Sequence, residues 1–298
     1  MALKLVVEWM RSVADGVGEH DSVINSKDRD GNTIFHLAAA FKQKETPMAE
    51  SDFLDLEDGT TDFGATTNLC LLGKVLNSKP LNANAITNVL NIVWKTRAAF
   101  HVVPWSSNNT YLFRFEDEAD KIAILKDGPW SIMNNLLVLK GLTDGVVVSE
   151  LDFSLCPFWV QIHGLPIEKM SRANAEIIGN CIGNLLAIEV SHGGLLLDRS
   201  FLRVKVEVNT NLPLPKGFWL KRCGSSPTDL WISYKYEKLP DFCYACGRIG
   251  HENRNCKFVS RETRDISGYG PELRTGKARK ADTIVHEVSL TVRAADEQ

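Results

Sequence analysis

Between residues 243 and 256 the chain reads Cys-Tyr-Ala-Cys-Gly-Arg-Ile-Gly-His-Glu-Asn-Arg-Asn-Cys. Cys243, Cys246, His251 and Cys256 offer three thiolates and one imidazole, a donor set that Zn2+ binds tetrahedrally without regular secondary structure around it. Two residues between the first cysteines let both sulfurs converge on one ion. All four ligands are protein, so no coordination position is left for water or substrate, as hydrolytic zinc requires. The spacing predicts a structural metal.

What this zinc-knuckle spacing serves is read from the residues between the ligands. Tyr244 and Ile249 are the apolar positions of a loop only 14 residues long, which has no core of its own, so the sequence predicts a small exposed platform. Arg248, Arg254 and Lys257 surround it with positive charge. A flat apolar face beside cations suits single-stranded nucleic acid, whose unstacked bases and phosphates need both. The alternative is a zinc staple that pins the chain or contacts protein.

The whole chain has 298 residues, 44% hydrophobic and 24% charged, with a net charge of -3. That is ordinary globular composition. The charge is uneven: residues 1–66 carry 6 basic and 13 acidic side chains, whereas 231–280 carry 11 and 6. Phosphate neutralisation is local, so the basic field around the knuckle counts for more than the overall balance. Of seven cysteines, Cys70, Cys156, Cys181 and Cys223 stand in apolar surroundings and read as buried free thiols of a reducing compartment, nucleus or cytoplasm. The first ten residues do not form a secretory signal, and no apolar run reaches membrane-spanning length.

The elements that must hold the knuckle are read upstream. Leu69 to Leu76 reads as a strand, Asn82 to Trp94 as a helix, Phe100 to Trp105 and Thr110 to Phe115 as strands, Glu118 to Leu125 as a helix and Leu136 to Gly141 as a strand. That βαββαβ order is the split arrangement of RNA-recognition motifs. Such sheets stack bases on aromatics of the first and third strands. Here Tyr111, Phe113 and Phe115 are expected on the helix side, with Thr110, Leu112 and Arg114 outward, and Cys70 stands where a ring is needed. The reading is a sheet that has lost or relocated its stacking.

A second α/β unit is predicted from a strand at Phe158 to His163, a helix at Ala173 to Leu186 with Ile177, Ile178, Cys181 and Ile182 inward, and strands at Leu202 to Val208 and Trp231 to Tyr236. His163 has no nucleophile or carboxylate placed by sequence to work with it, so no catalysis is expected. Lys216-Gly-Phe-Trp-Leu-Lys-Arg222 interleaves aromatics and cations, as a nucleic-acid contact does, although Phe218 or Trp219 also suits a core.

Taken together, Leu72-Gly-Lys-Val-Leu76, Gly128-Pro-Trp130, Phe158-Trp-Val-Gln-Ile-His-Gly-Leu-Pro166, Asn174-Ala-Glu176, Ile178-Gly179 and Tyr236 through Cys256 resemble the gag-like protein of plant LINE-type non-LTR retrotransposons. That family joins a domain of unknown function to a CCHC knuckle. Residues Asp28 to Ala39 resemble the turn and first helix of a plant ankyrin repeat, a single unit that cannot bury its own face. The resemblance implies a zinc-dependent binder of single-stranded RNA or DNA, RNA being preferred, with no enzyme; a protein-interaction adaptor and an inert fusion product are the alternatives.

The expected fold class is α+β, and six segments follow. They are an ankyrin-like fragment at 1–44, an acidic linker at 45–67, the RRM-like βαββαβ domain at 68–150, a second α/β unit at 151–237, the zinc knuckle at 238–260 and a disordered tail at 261–298.

Overall fold

The computed structural model describes residues 67–77, 79–106, 108–142, 147–191, 199–222, 228–260, 268–279 and 283–288. The ankyrin-like fragment and nearly all of the acidic linker lie outside the described residues. Gly59–Gln298 form one compact unit.

Three helices start where short polar side chains satisfy amides that a first turn leaves without partners. Asn82 accepts the Asn84 N–H at 2.8 Å to open α1 (Ala83–Val93). Asp117 accepts the Asp120 N–H at 2.8 Å to open α2 (Glu118–Asp127), whose Glu118 adds negative charge at the positive end of the helix dipole. Ser171 accepts the Asn174 N–H at 3.3 Å to open α3 (Arg172–Ile182).

The first sheet comprises β1 (Cys70–Val75), β2 (Phe100–Ser106), β3 (Thr110–Phe115), β4 (Trp130–Ile132) and β5 (Asn135–Gly141). Its order is β2-β3-β1-β5-β4 and every pairing is antiparallel. Apart from β4, this is the expected split βαββαβ sheet. The extra strand forms a hairpin with β5 through Met133 and Asn134, both at positive φ, as a tight two-residue turn between twisted strands demands.

The alternation along β3 places Tyr111, Phe113 and Phe115 against the helices as expected. They are buried with Ile86, Leu90, Trp94 and Ile124, and the Trp94 ring lies 5.1 Å from Phe100, 5.4 Å from Phe113 and 5.8 Å from Phe115. Rings packed this way contribute more than their area alone. On the opposite face Arg114 is exposed but Leu72, Leu136 and Val138 are fully buried. Leu136 and Val138 belong to the core built on the second sheet. The half of that face over β1 and β5 is therefore an internal surface.

The second sheet holds β6 (Leu155–His163), β7 (Asn184–Ser191), β8 (Phe201–Asn209), β9 (Gly217–Leu220), β10 (Leu230–Glu237), β11 (Arg274–Thr275) and β12 (Thr283–Glu287). The order is β11-β10-β6-β8-β7-β12, with β9 also paired to β10. Among the described residues only the two-residue β10–β11 pairing of this sheet is parallel. Phe158, Val160, Ile162, Val204, Val206, Ile232, Tyr234 and Tyr236 turn to one face and pack with Ala175, Ile178 and Ile182 of α3.

The other face carries charge. Arg203 donates to Glu237 at 2.8 Å through both Nε and Nη2, and to Glu189 at 3.1 Å. Arg199 donates to Glu189 at 2.6 Å, and Gln161 donates to Glu237 at 2.7 Å. The Arg203 guanidinium also lies 3.8 Å from the Trp159 ring centroid. Arg203, Glu189, Glu237 and Gln161 are all buried, so each charge depends on its partners. Residues of the C-terminal segment cross this face: the Arg279 carbonyl accepts from Arg199 at 2.6 Å and the Thr283 hydroxyl donates to Glu189 at 3.1 Å.

Three expectations are corrected here. The helix predicted to reach Leu186 ends at Ile182, because Gly183 breaks it and the following apolar run is β7. Ile177 and Cys181 are exposed rather than inward. The tail expected to be disordered over 261–298 contains β11 and β12, which pair with β10 and β7.

Lysines of the second sheet finish a helix of the first. Lys205 donates to the Lys126 carbonyl at 3.1 Å and Lys238 to the Asp127 carbonyl at 2.6 Å, placing cations at the negative end of α2. Among the described residues no helix is long and apolar enough to cross a membrane.

Candidate metal centre and nucleic-acid interface

β10 runs directly into the metal loop. Phe242 pairs with Ile249 across it as an isolated bridge, the Cys243 N–H donates to the Arg248 carbonyl at 2.8 Å, and the Gly247 N–H donates to the Cys243 carbonyl at 2.8 Å. Gly247 sits at φ +74, the left-handed region, which glycine enters without steric cost. A Cβ there would lie 2.2 Å from the Tyr269 ring, so the position admits no side chain. The Gly247 carbonyl accepts from the Leu214 N–H at 3.0 Å, and the Tyr269 hydroxyl donates to the Leu214 carbonyl at 3.0 Å.

This turn gathers the four expected ligands. The donor atoms of Cys243, Cys246, His251 and Cys256 all lie within 4.8 Å of one another, and Cys246 Sγ is 3.4 Å from His251 Nε2. A tetrahedron with sulfur arms of about 2.3 Å has edges of roughly 3.8 Å, so the cluster closes on zinc with shifts of about 1 Å.

Amide donors are aimed at the sulfurs. The Ala245 and Cys246 N–H groups face Cys243, and those of Phe258 and Val259 face Cys256. Burial still pushes the Cys243 thiol up, to about 11. For Cys256 burial also raises the pKa, but hydrogen bonds led by His251 outweigh it and bring the thiol to about 6. N–H groups directed at thiolates stabilise the charged form that zinc takes. The donor set, its closure and these amides fit a zinc ion held by Cys243, Cys246, His251 and Cys256.

The surrounding residues differ from the expected platform. Ile249 is only 7% exposed and belongs to the core of the second sheet, because the bridge to Phe242 turns it inward. It is not an exposed stacking face. Tyr244 is half-buried against the same core, with its ring 4.9 Å from Phe242. Arg248 donates to the Asn211 carbonyl at 2.8 Å and lies 4.1 Å from the centroid of Phe258. Arg254 and Lys257 are exposed, and Arg254 forms an ion pair with Glu252.

Phe258, which the sequence reasoning passed over, is 61% exposed beside His251, with ring centroids 5.7 Å apart. The signal was an aromatic two residues past the last ligand. A cleft of about 430 Å³ opens beside the loop, lined by Lys74, Asn77, Asn108, Asn211 and Gly250 among others.

His163 is placed structurally. Its Nε2 lies 3.1 Å from Gln161 Oε1, its ring is 4.9 Å from that of Phe201, and burial with Lys235 nearby holds it below 6.5. The aromatics of the Lys216–Arg222 stretch divide: Phe218 packs on the core and Trp219 is exposed.

Comparison with known proteins adds the following. Residues 65–150 match the family described as a domain of unknown function (DUF4283), and residues 224–258 match the one described as a zinc knuckle. The uncharacterized protein At4g02000 of Arabidopsis thaliana is 24% identical over 139 residues, which cover 47% of this chain and 43% of that protein. The chain therefore matches less than half the length of that relative. A DUF4283 domain followed by a CCHC knuckle is typical of plant gag-like, retrotransposon-related proteins. Neither family match reaches residues 1–44, so the ankyrin-like reading rests on the sequence pattern alone.

Proposed function

We propose that this chain is a retroelement-derived, gag-like protein that binds single-stranded nucleic acid, with RNA preferred, through its zinc-ordered loop, and that it has no catalytic role. The carrying observation is the exposed Phe258 ring beside Arg248 and His251 on a loop with a closed four-ligand metal set. A ring open to solvent with Arg254 and Lys257 nearby offers a base a stacking surface and phosphates their counter-charge. The cleft lined by Lys74, Asn77, Asn108 and Asn211 extends this surface with amides able to meet base edges. The closed ligand set, and a His163 engaged with Gln161 and Phe201, support a binding role rather than catalysis.

Mobility shifts with single-stranded RNA, single-stranded DNA and duplex, with and without chelator, test this reading. Binding should weaken steeply with salt, weaken with chelator or in Cys246→Ser, and fall about tenfold in Phe258→Ala. Binding insensitive to salt and to Cys246→Ser would sink it.

The burial of Phe242 and Ile249 favours a second reading, in which zinc pins the loop to the second sheet and the partner is a protein. Phe258→Ala that binds RNA like the wild type, with Cys246→Ser destabilised, would favour the staple.

A further inference from the structure

The outward face of the second sheet carries a row of rings at one end. Odd-numbered residues of β9, β10, β6 and β8 point away from the core. Register therefore aligns Trp219 with Trp231 across β9 and β10, Ser233 with His163 across β10 and β6, and His163 with Phe201 across β6 and β8. Trp219 and Trp231 are 65% and 40% exposed with ring centroids 5.1 Å apart. His163 and Phe201, both half-buried, are 4.9 Å apart. Ser233, two residues beyond Trp231 on β10, pairs with His163, so the two ring pairs lie on adjoining strands of one face.

Exposed tryptophans on a sheet face call for a partner, and the local charge states which. Residues 216–235 carry four basic side chains, Lys216, Lys221, Arg222 and Lys235, against one acid, Asp229. Lys221 follows Trp219 by two residues, and Lys235 follows Trp231 by four on the same face. Beside Trp231, a cleft of about 330 Å³ is lined by Ser233, Lys235, Lys216 and Glu272 among others. The tryptophans meet edge to face at 61°, so exposed ring faces with cations at the rim are offered to unpaired bases along a charged backbone. With Glu272 counted the cations still outnumber the acids two to one, an excess for which a protein partner met through tryptophans alone has no use.

We infer that the Trp219, Trp231, His163 and Phe201 face of the second sheet is a zinc-independent stacking surface for single-stranded nucleic acid. It shares the partner of the preceding reading but not its site, and it stands even if the metal loop binds nothing.

Fluorescence anisotropy of labelled oligo-uridine and oligo-thymidine, titrated with the full chain, separates the two. Trp219→Ala and Trp231→Ala should each weaken binding about tenfold, Trp219→Phe should restore most of the loss, and Lys221→Ala should reduce the salt dependence. Both rings are exposed, so melting temperatures should stay close to wild type, and that measurement separates lost contacts from lost fold. In Cys246→Ser the binding that remains should still fall on replacing Trp219. Wild-type affinity in the Trp219→Ala, Trp231→Ala double variant would overturn the inference, including where the same variant abolishes self-association or capture of a protein. Loss of binding in Cys246→Ser with no further fall from the tryptophan changes would overturn it too, while leaving the metal-loop reading intact.

Discussion

On the first sheet Tyr111, Phe113 and Phe115 face the helices, and Leu72, Leu136 and Val138 close half of the other side. On the second, the helix side is aliphatic with Phe158, Tyr234 and Tyr236, while Trp219 and Trp231 stand in solvent and a buried ion network fills the middle of the face. The strand order of the first sheet is that of an RNA-binding fold, yet the positions that would stack bases on β1 carry Cys70 and Leu72, both buried. A topology thus fixes where a binding face lies without guaranteeing that the face is free. The second sheet has the free rings and the cations.

The contrast breaks most visibly if zinc is removed. Structural zinc stabilises small folds by on the order of 10 kcal/mol, and the loop it would order packs Phe242 and Ile249 into the core built on the second sheet. Chelation, followed by hydrogen exchange, should release amides of the metal loop and the Leu214 amide that bonds to it, while those of β1 and β3 keep their protection. Equal loss in both sheets would show that they do not differ in dependence on the metal.

A charge placed on each outward face comes next. Leu72→Asp buries an unpaired carboxylate and should cost about 4–5 kcal/mol in urea unfolding, whereas Trp231→Asp, on an exposed site, should cost under about 1 kcal/mol.

Glu237→Ala leaves Arg203 buried without its strongest partner and is expected to cost about 3–5 kcal/mol. Burial alone would raise the Glu237 pKa, but hydrogen bonds from Arg203 and Gln161 hold it below 4.5. Its contribution is therefore present above that value and lost as pH falls through the lower folded-state pKa. Urea midpoints measured from neutral pH down through pH 4 should show that decline in the wild type and a shallower one in the variant.

Gly247→Ala forces a non-glycine residue into φ +74 against the Tyr269 ring and should cost about 2–3 kcal/mol. Tyr269→Ala in the same chain should recover the part due to the clash, visible in the melting temperature. The smallest effect is expected from Trp231→Ala, within about 0.5 kcal/mol in stability, since the ring supports no core.

Much of the first sheet was legible because its patterns are strong. Ile86 and Leu90 share a helix face, and the acidic start of α2 fixed which way Phe113 points. The second sheet was harder for a physical reason. Leu185 to Ile188 continue the apolar run of α3, so β7 reads as helix until Gly183 is given its breaking role. β11 and β12 owe their existence to partners far along the chain.

The metal ligands were readable from spacing alone, since zinc imposes its geometry on any loop of suitable length. Ile249 was misplaced because the loop was treated as coreless, while Leu214, Tyr234 and Leu273 supply a core from outside it. Phe258 reads in the sequence as one more apolar residue, and only the fold sets it in solvent beside Arg248 and His251.

The pairing of β11 and β12 on opposite flanks of the second sheet sets a clock on synthesis. The first sheet has all its strands once Gly141 has emerged, but β7 keeps an open edge until Thr283–Glu287 arrive. At about 5–20 residues per second, roughly five to twenty seconds separate the completion of β7 at Ser191 from that of β12 at Glu287. Throughout that interval β7 offers unpaired amides to any passing strand, so the nascent chain is most prone to misjoining late, after its first half is already folded.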